Sequence, residues 1–165
     1  AAVRDRPLPA PRSMAAVAGT TLQGALGEPR GAFVTLHLAG SLRGCIGFIE
    51  SDRPLALTVL EAARGAAVGD PRFPPVSPDE LAALELEVSA LTPLEDIPGP
   101  TAIELGRHGI LLEIRGRQAV FLPQVAPEQG WDLDTTLDQL ARKAGLEPAS
   151  WREGARFRVF EAEVF

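Results

Sequence analysis

Residues 31–50 read GAFVTLHLAGSLRGCIGFIE, and the fold turns on how they pair. Val34, Leu36 and Leu38 alternate with Phe33, Thr35 and His37, the period of a strand with one buried face. Ala39-Gly40-Ser41 supplies turn chemistry, so the stretch predicts a β-hairpin. Its second arm carries the only cysteine of the chain, Cys45, between two glycines. Alternation puts Leu42, Gly44, Ile46 and Phe48 on one face and Arg43, Cys45, Gly47 and Ile49 on the other. Arg43 and Cys45 would then stand side by side, with Cα atoms roughly 7 Å apart. A guanidinium at that distance favours thiolate over thiol. Glycine weakens a strand unless something must approach its backbone, so Gly44 is expected against a helix and Gly47 on an open floor beside Arg43 and Cys45.

A packing reading stands beside this one. Free cysteine is among the most buried residue types and behaves as a small hydrophobe. An arginine next to it can pair with a carboxylate across the sheet. No histidine is adjacent in sequence to act as a base; His37 could lie across the hairpin, on a face that alternation does not fix. From the stretch alone, packing is the stronger reading.

Ser51 or Asp52 can cap the following helix, PLALTVLEAARGAAVG, with Leu55, Val59, Ala62 and Ala66 at helical spacing and Gly69 at its stop. Its small alanines suit close packing on a sheet. DPRFPPVSP is too proline-rich for a helix or a central strand. Ser77, Pro78 and Glu80 form a capping-box signature for a short helix through Ala83. LELEVSAL predicts a half-exposed strand, with Leu84, Leu86, Val88 and Ala90 inward and Glu85, Glu87 and Ser89 outward. IPGP at 97–100 reads as a hinge. GILLEI and AVFL flank a second hairpin turn at 115–118, LPQVAPEQGW reads as a loop, and LDTTLDQLARKAG as a helix with Leu133, Leu137, Leu140 and Ala144 inward. FRVFEAEVF closes the chain as a last strand. Two hairpin-plus-helix units with mostly antiparallel strands predict an α+β fold. The expected organisation is an N-terminal arm at 1–20, a larger lobe at 21–97 and 155–165, and a smaller lobe at 98–154. The hairpin and the strands at 84–91 and 157–165 are expected in one sheet.

Composition narrows the function. Of the 165 residues 45% are hydrophobic, enough to bury a core. No apolar run approaches the ~20 residues that span a bilayer, and AAVRDRPLPAPRSM lacks the apolar centre of a signal peptide. A single cysteine forms no internal disulfide, and His37 and His108 have no partner at metal-ligand spacing, so neither metal nor cofactor is expected. The net charge of -6 argues against general nucleic-acid binding. All but one of the basic residues are arginine, which leaves room for a local arginine site. Asp70 and Arg72 flank a proline in a stiff loop and could face a ligand; a local salt bridge is the plainer reading. Gln124, Glu128 and Trp131 could line a pocket, although a tryptophan after a loop is more often a packing plug.

EPRGAFVTL, LRGCIG, DPRFPPVSPDEL, EVSALTPLE, HGILL, FLPQVAPEQGWD and LARKAGL stand in the order found in the AMMECR domain family, which the chain resembles over roughly residues 28–165. LRGCIG is the family hallmark, and Asp70, Arg72 and Phe73 match its second motif. Where family members usually begin with a helix, a proline-rich stretch stands here. The resemblance implies a cytoplasmic α+β protein with a larger and a smaller lobe and a cleft between them. It also implies protein A of the AmmeMemoRadiSam system, with Memo-type and radical-SAM proteins as partners. The family has no settled activity. Two functions follow. One is an accessory module whose cleft holds a small anionic ligand or a partner segment at Arg43, Gly44, Cys45, Gly47, Asp70 and Arg72. The other is a thiol enzyme with Cys45 as nucleophile and Arg43 lowering its pKa.

Overall fold

The structure is a computed structural model that describes residues 24–165. The proline-rich arm expected at 1–20 lies outside the described residues. The fold is α+β, with two four-stranded antiparallel sheets. The chain divides into two compact units. One runs through Leu91 and takes in Glu163–Phe165; the other is Thr92–Ala162.

The opening stretch forms the predicted hairpin of β1 (Ala32–Leu38) and β2 (Ser41–Phe48). Ala39 and Gly40 turn it with φ of 51° and 76°. Two consecutive positive φ values mark the tight turn whose twist matches that of the strands. The register then departs from simple alternation. Leu36 pairs with Gly44 but His37 pairs with Leu42, so Arg43 is an extra residue in β2. This bulge carries Leu42 off the core face expected for it, and it is 42% exposed.

The other side of β1 pairs with β3 (Leu84–Leu91), with Val34 opposite Val88 and Leu36 opposite Leu86. Beyond β3 lies β8 (Ala162–Val164), giving the order β2-β1-β3-β8 with β2 at an edge. The inward set of β3 is modified at both ends. Leu86 is 59% exposed, and Ser89, expected outside, is buried.

Helix α1 (Leu55–Val68) lies on the inner face of this sheet. Val34, Leu36, Ala62, Ala66 and Val76 form the core, with Ile46 and Val59 packed against it. The approach is close because neither contact surface carries bulk. A side chain on Gly44 would meet the Ala66 carbonyl, and one on Gly65 would meet Ile46. The expected caps differ. Pro54 takes the N-cap place without a side-chain bond, and Ser51 Oγ instead accepts from Thr58 Oγ1 at 2.8 Å and from the Arg53 N–H at 3.1 Å. Proline fixes the entry dihedral of the helix and has no N–H to satisfy. The capping box at Ser77 and Glu80 forms as read and starts a 3-10 turn, Pro78–Ala83.

In the second unit β4 (Glu95–Asp96), β5 (Gly109–Ile114), β6 (Arg117–Phe121) and β7 (Arg156–Phe160) form a sheet in the order β4-β7-β5-β6. Arg115 and Gly116 turn its hairpin with φ of 50° and 73°, so Arg117 and Gln118 belong to a strand rather than to the turn. The segment read as a loop contains a short helix, α2 (Val125–Gln129), ended by Gly130 in left-handed conformation. Helix α3 (Leu133–Lys143) starts at Asp132, whose carboxylate accepts from the Thr135 N–H. Leu137, Leu140 and Ala141 are buried against Ile110, Leu112, Trp151 and Phe157. Each of the larger side chains contributes about 1.5–3 kcal/mol by leaving water.

The last stretch differs from expectation. It breaks at Glu161 into β7 and β8, which join different sheets. The Glu161 N–H donates to Thr92 Oγ1 at 2.8 Å instead of continuing a ladder. Apolar alternation predicts that both pieces are strands but says nothing of where they part.

Candidate functional site

The site is built on the edge of β2. Gly44, Ile46 and Phe48 pair inward with β1, so the backbone N–H and C=O of Cys45 point away from the sheet. An open edge of this kind is a template for unwanted pairing. Here the loop after α1 closes it. The Cys45 N–H donates to Asp70 Oδ2 at 2.9 Å, and the Cys45 C=O accepts from Arg72 Nη2 at 3.3 Å. One carboxylate and one guanidinium thus replace the N–H and C=O of a neighbouring strand.

Asp70 and Arg72 also hold each other. Arg72 donates from Nε to Oδ1 at 2.9 Å, from Nη2 to Oδ2 at 2.6 Å and from its backbone N–H to Oδ1 at 3.1 Å. Pro71 between them limits the conformations the loop must lose. The Asp70 side chain is 2% exposed and that of Arg72 is 55% exposed. The bonds from Arg72 are the main reason the Asp70 carboxyl is held well below the usual carboxylate range; burial opposes them and the Cys45 N–H adds to them. For Arg72 the bond to Asp70 raises the pKa first. Burial lowers it, and the negative charge on Asp70 raises it further.

Arg43 lies elsewhere than expected. The bulge that it forms sends its guanidinium to the loop at 74–80. Nε and Nη2 donate to Glu80 Oε1 and Oε2 at 2.7 and 3.2 Å, and Nη1 donates to the Pro74 C=O at 2.9 Å. Glu80 in turn accepts from the Ser77 N–H at 2.7 Å. The Arg43 bonds come first in pulling the Glu80 pKa down to about 2, and the Ser77 N–H adds to them. Arg43 is therefore an anchor of the loop, and the guanidinium bonded at Cys45 is that of Arg72.

The partner across the hairpin from Cys45 is Thr35, whose hydroxyl donates to Sγ at 3.4 Å. On the far side of Thr35 stands Glu87. A thiol, a hydroxyl and a carboxylate thus form one row across β2, β1 and β3. Cys45 itself is half-buried. His37 is not its partner, since the bulge sets it opposite Leu42 and Glu85.

The two glycines separate differently from the reading above. Gly44 is a contact with α1, as expected. A side chain on Gly47 would meet the Phe33 ring and, at 2.6 Å, the Ala32 carbonyl oxygen. Phe33 pairs with Gly47 and covers it, so the floor expected there is filled by the chain's own aromatic ring.

Sequence reasoning brings Cys45, Asp70 and Arg72 together and misses Thr35, Glu80 and Phe33. The capping box at Ser77–Glu80 flagged Glu80, but for a local role alone. Gln124, Glu128 and Trp131 belong to the second unit. Trp131 packs on Phe121 with ring centroids 5.9 Å apart, and Glu128 is exposed on α2. His108 accepts at Nδ1 from the Glu104 N–H at 3.0 Å, a local turn contact. Among the described residues no helix is long and apolar enough to cross a membrane.

A profile of the family described as AMMECR1 matches residues 9–165. A protein of Methanosarcina acetivorans is 43% identical over 163 residues, covering 96% of this chain and 80% of that protein. One from Methanothermobacter thermautotrophicus is 45% identical over 145 residues, covering 84% of this chain and 76% of that protein. The crystal structure of an uncharacterized protein from Pyrococcus horikoshii is similar with a TM-score of 0.79 and 42% identity, over 85% of this chain and 74% of that one.

Proposed function

The chain belongs to the AMMECR1 family, and from that membership we propose that it is an accessory binding protein of the AmmeMemoRadiSam system, with its binding site at the LRGCIG strand. The observation that carries this reading is the division of labour between the two arginines. Arg43, with a side chain 11% exposed, is consumed by Glu80 and Pro74, whereas Arg72 is more than half exposed while fixed at the Cys45 backbone. A guanidinium held in place by a buried carboxylate loses little freedom when it takes up an anion. The occupant is a small anionic ligand or an acidic segment of a partner. The partners are the Memo-type and radical-SAM proteins of the same system, and the setting is the cytoplasm. Arg72 and Cys45 contact the occupant on this reading, Asp70 holds Arg72 in place, Arg43 positions the loop, and Gly44 and Gly47 set the strand.

The thiol-enzyme reading draws support from the Thr35 hydroxyl on Sγ. A nucleophilic thiol needs a base within hydrogen-bond reach; among the described residues the Thr35 hydroxyl is what is bonded to the sulfur, and Arg43 is bonded away from it.

Co-purification of the chain with Memo-type and radical-SAM proteins of that system tests the binding reading. A complex at micromolar concentration that Arg72→Glu weakens is the expected result. No complex, or one indifferent to Arg72→Glu, contradicts the proposal.

A further inference from the structure

A pocket lies wholly within the unit 92–162. It has a volume of about 330 Å3 and is formed where the Ile97-Pro98-Gly99-Pro100 segment faces residues 151–157. That volume is at the lower end of the range for small-ligand sites. Its apolar side is supplied by Ile97, the two prolines, Trp151 and Phe157, and the only charged residues that line it are Arg152 and Arg156.

The two rings are set rigidly. Trp151 and Phe157 meet edge to face with centroids 6.4 Å apart, and the Trp151 indole N–H donates to Asp138 Oδ1 at 2.8 Å. Asp138 also accepts from the Ala149 N–H, so the turn that carries Trp151 is tied to α3 at two points. The Arg152 guanidinium lies over the indole, 4.2 Å from its centroid. Stacking of this kind holds the planar fork in place and leaves its N–H groups free to point outward.

Each guanidinium is bonded to one carboxylate and leaves donors unused, and the charge of Arg152 also acts on Asp138. Arg152 gives Nη2 to Asp134 at 3.0 Å. Arg156 gives Nε and Nη2 to a single oxygen of Asp96, at 3.0 and 2.9 Å. Neither Asp96 nor Asp134 lines the pocket. The wall therefore presents guanidinium donors while the compensating charge stays outside it. Two arginines already neutralised by neighbours do not form a site for a highly charged polyphosphate. They suit one anionic group attached to an apolar body that fits against the prolines and rings.

We propose that this pocket binds a small monoanionic carboxylate with a planar apolar body, its carboxylate taken by Arg156 and Arg152 and its body lying between Pro98, Pro100 and the Trp151–Phe157 pair. The site is independent of the function proposed for the LRGCIG strand.

The test is an amide and indole N–H NMR titration of the full chain with sodium benzoate. Sodium acetate supplies the charge without the ring, and benzyl alcohol the ring without the charge. Saturable movement of the Trp151 indole and of the Gly99 and Gly154 amides by benzoate is expected, with acetate and benzyl alcohol at least about tenfold weaker. Arg156→Gln should weaken benzoate about tenfold, and Arg152→Gln should do the same; the Arg156 side chain is 65% exposed, so the first variant should keep the remaining spectrum intact. Shifts that do not saturate overturn the proposal. So does an equal response to all three probes, or benzoate binding that neither substitution weakens.

Discussion

The two hairpins of this protein start from the same turn and end differently. β1–β2 and β5–β6 both reverse through a residue and a glycine with positive φ. Both second strands lie at the edge of a sheet. In β6 the edge is covered by an exposed side chain: Lys143 Nζ donates to the Val120 C=O at 2.9 Å and lies 5.0 Å from the Phe121 ring centroid. In β2 the edge at Cys45 is covered by the buried Asp70 carboxylate and the exposed arginine that it holds, and the strand is bulged at Arg43 and carries glycines at 44 and 47. A lysine tail tolerates drift. A buried carboxylate is costly to place, and it fixes its partners closely because a misplaced partner leaves its charge unmet. The difference teaches that closing a sheet edge does not require what β2 has. The extra precision is spent on one residue, Cys45.

Substitutions should expose that difference. Asp70→Ala removes the acceptor of the Cys45 N–H and of Arg72, and is expected to lower stability by about 3 kcal/mol in a denaturant titration. Gly44→Ala comes next. Its methyl group meets the Ala66 carbonyl, and a helix held by packing on both sides has little room to retreat, so a loss of about 2 kcal/mol is expected. Gly47→Ala should cost about 1 kcal/mol, since Phe33 can turn aside but the Ala32 carbonyl cannot. Lys143→Ala should change stability by no more than about 0.5 kcal/mol, the usual range for a surface change. If Lys143→Ala cost as much as Asp70→Ala, the two edges would be equivalent and the contrast would fail.

Acid should act on the first unit through the same groups. Asp70 and Glu80 have pKa values lower in the folded chain than when unfolded. A lowered folded pKa adds stability above the unfolded pKa, and that stability is lost as pH falls through the folded value. For Glu80 the window runs from its ordinary 4.5 down to about 2. The loop at 70–83 should therefore loosen in that range, seen as a rise in Cys45 alkylation before global unfolding. Glu80→Gln should remove the Glu80 part of the dependence.

The α+β class, the first hairpin, α1, α3 and the capping box could all be read from periodicity and turn residues, because each rests on local spacing. Cys45 with Asp70 and Arg72 could be placed in one site through the family resemblance. The error at Arg43 came from assuming strict alternation through a bulge: one extra residue turns its side chain to Glu80 and moves Leu42 off the core face. Gly47 misled for a related reason. A glycine opposite a phenylalanine looks the same in sequence as one opposite a ligand. Where FRVFEAEVF divides between two sheets, the Glu161 N–H donates to Thr92, 69 residues away in sequence, which no local pattern reports.

Amide hydrogen exchange at Cys45 tests the central claim most directly. An outward-facing N–H on an edge strand exchanges quickly unless something caps it. A bond to the buried Asp70 carboxylate should slow Cys45 exchange at least about tenfold relative to the same amide in Asp70→Ala, measured under conditions where both remain folded. The protection should survive Arg43→Lys, which leaves the bracket at Cys45 in place. A Cys45 amide that exchanges equally fast in the wild-type chain and in Asp70→Ala would contradict the account, because the strand would then be held by its ladder to β1 alone.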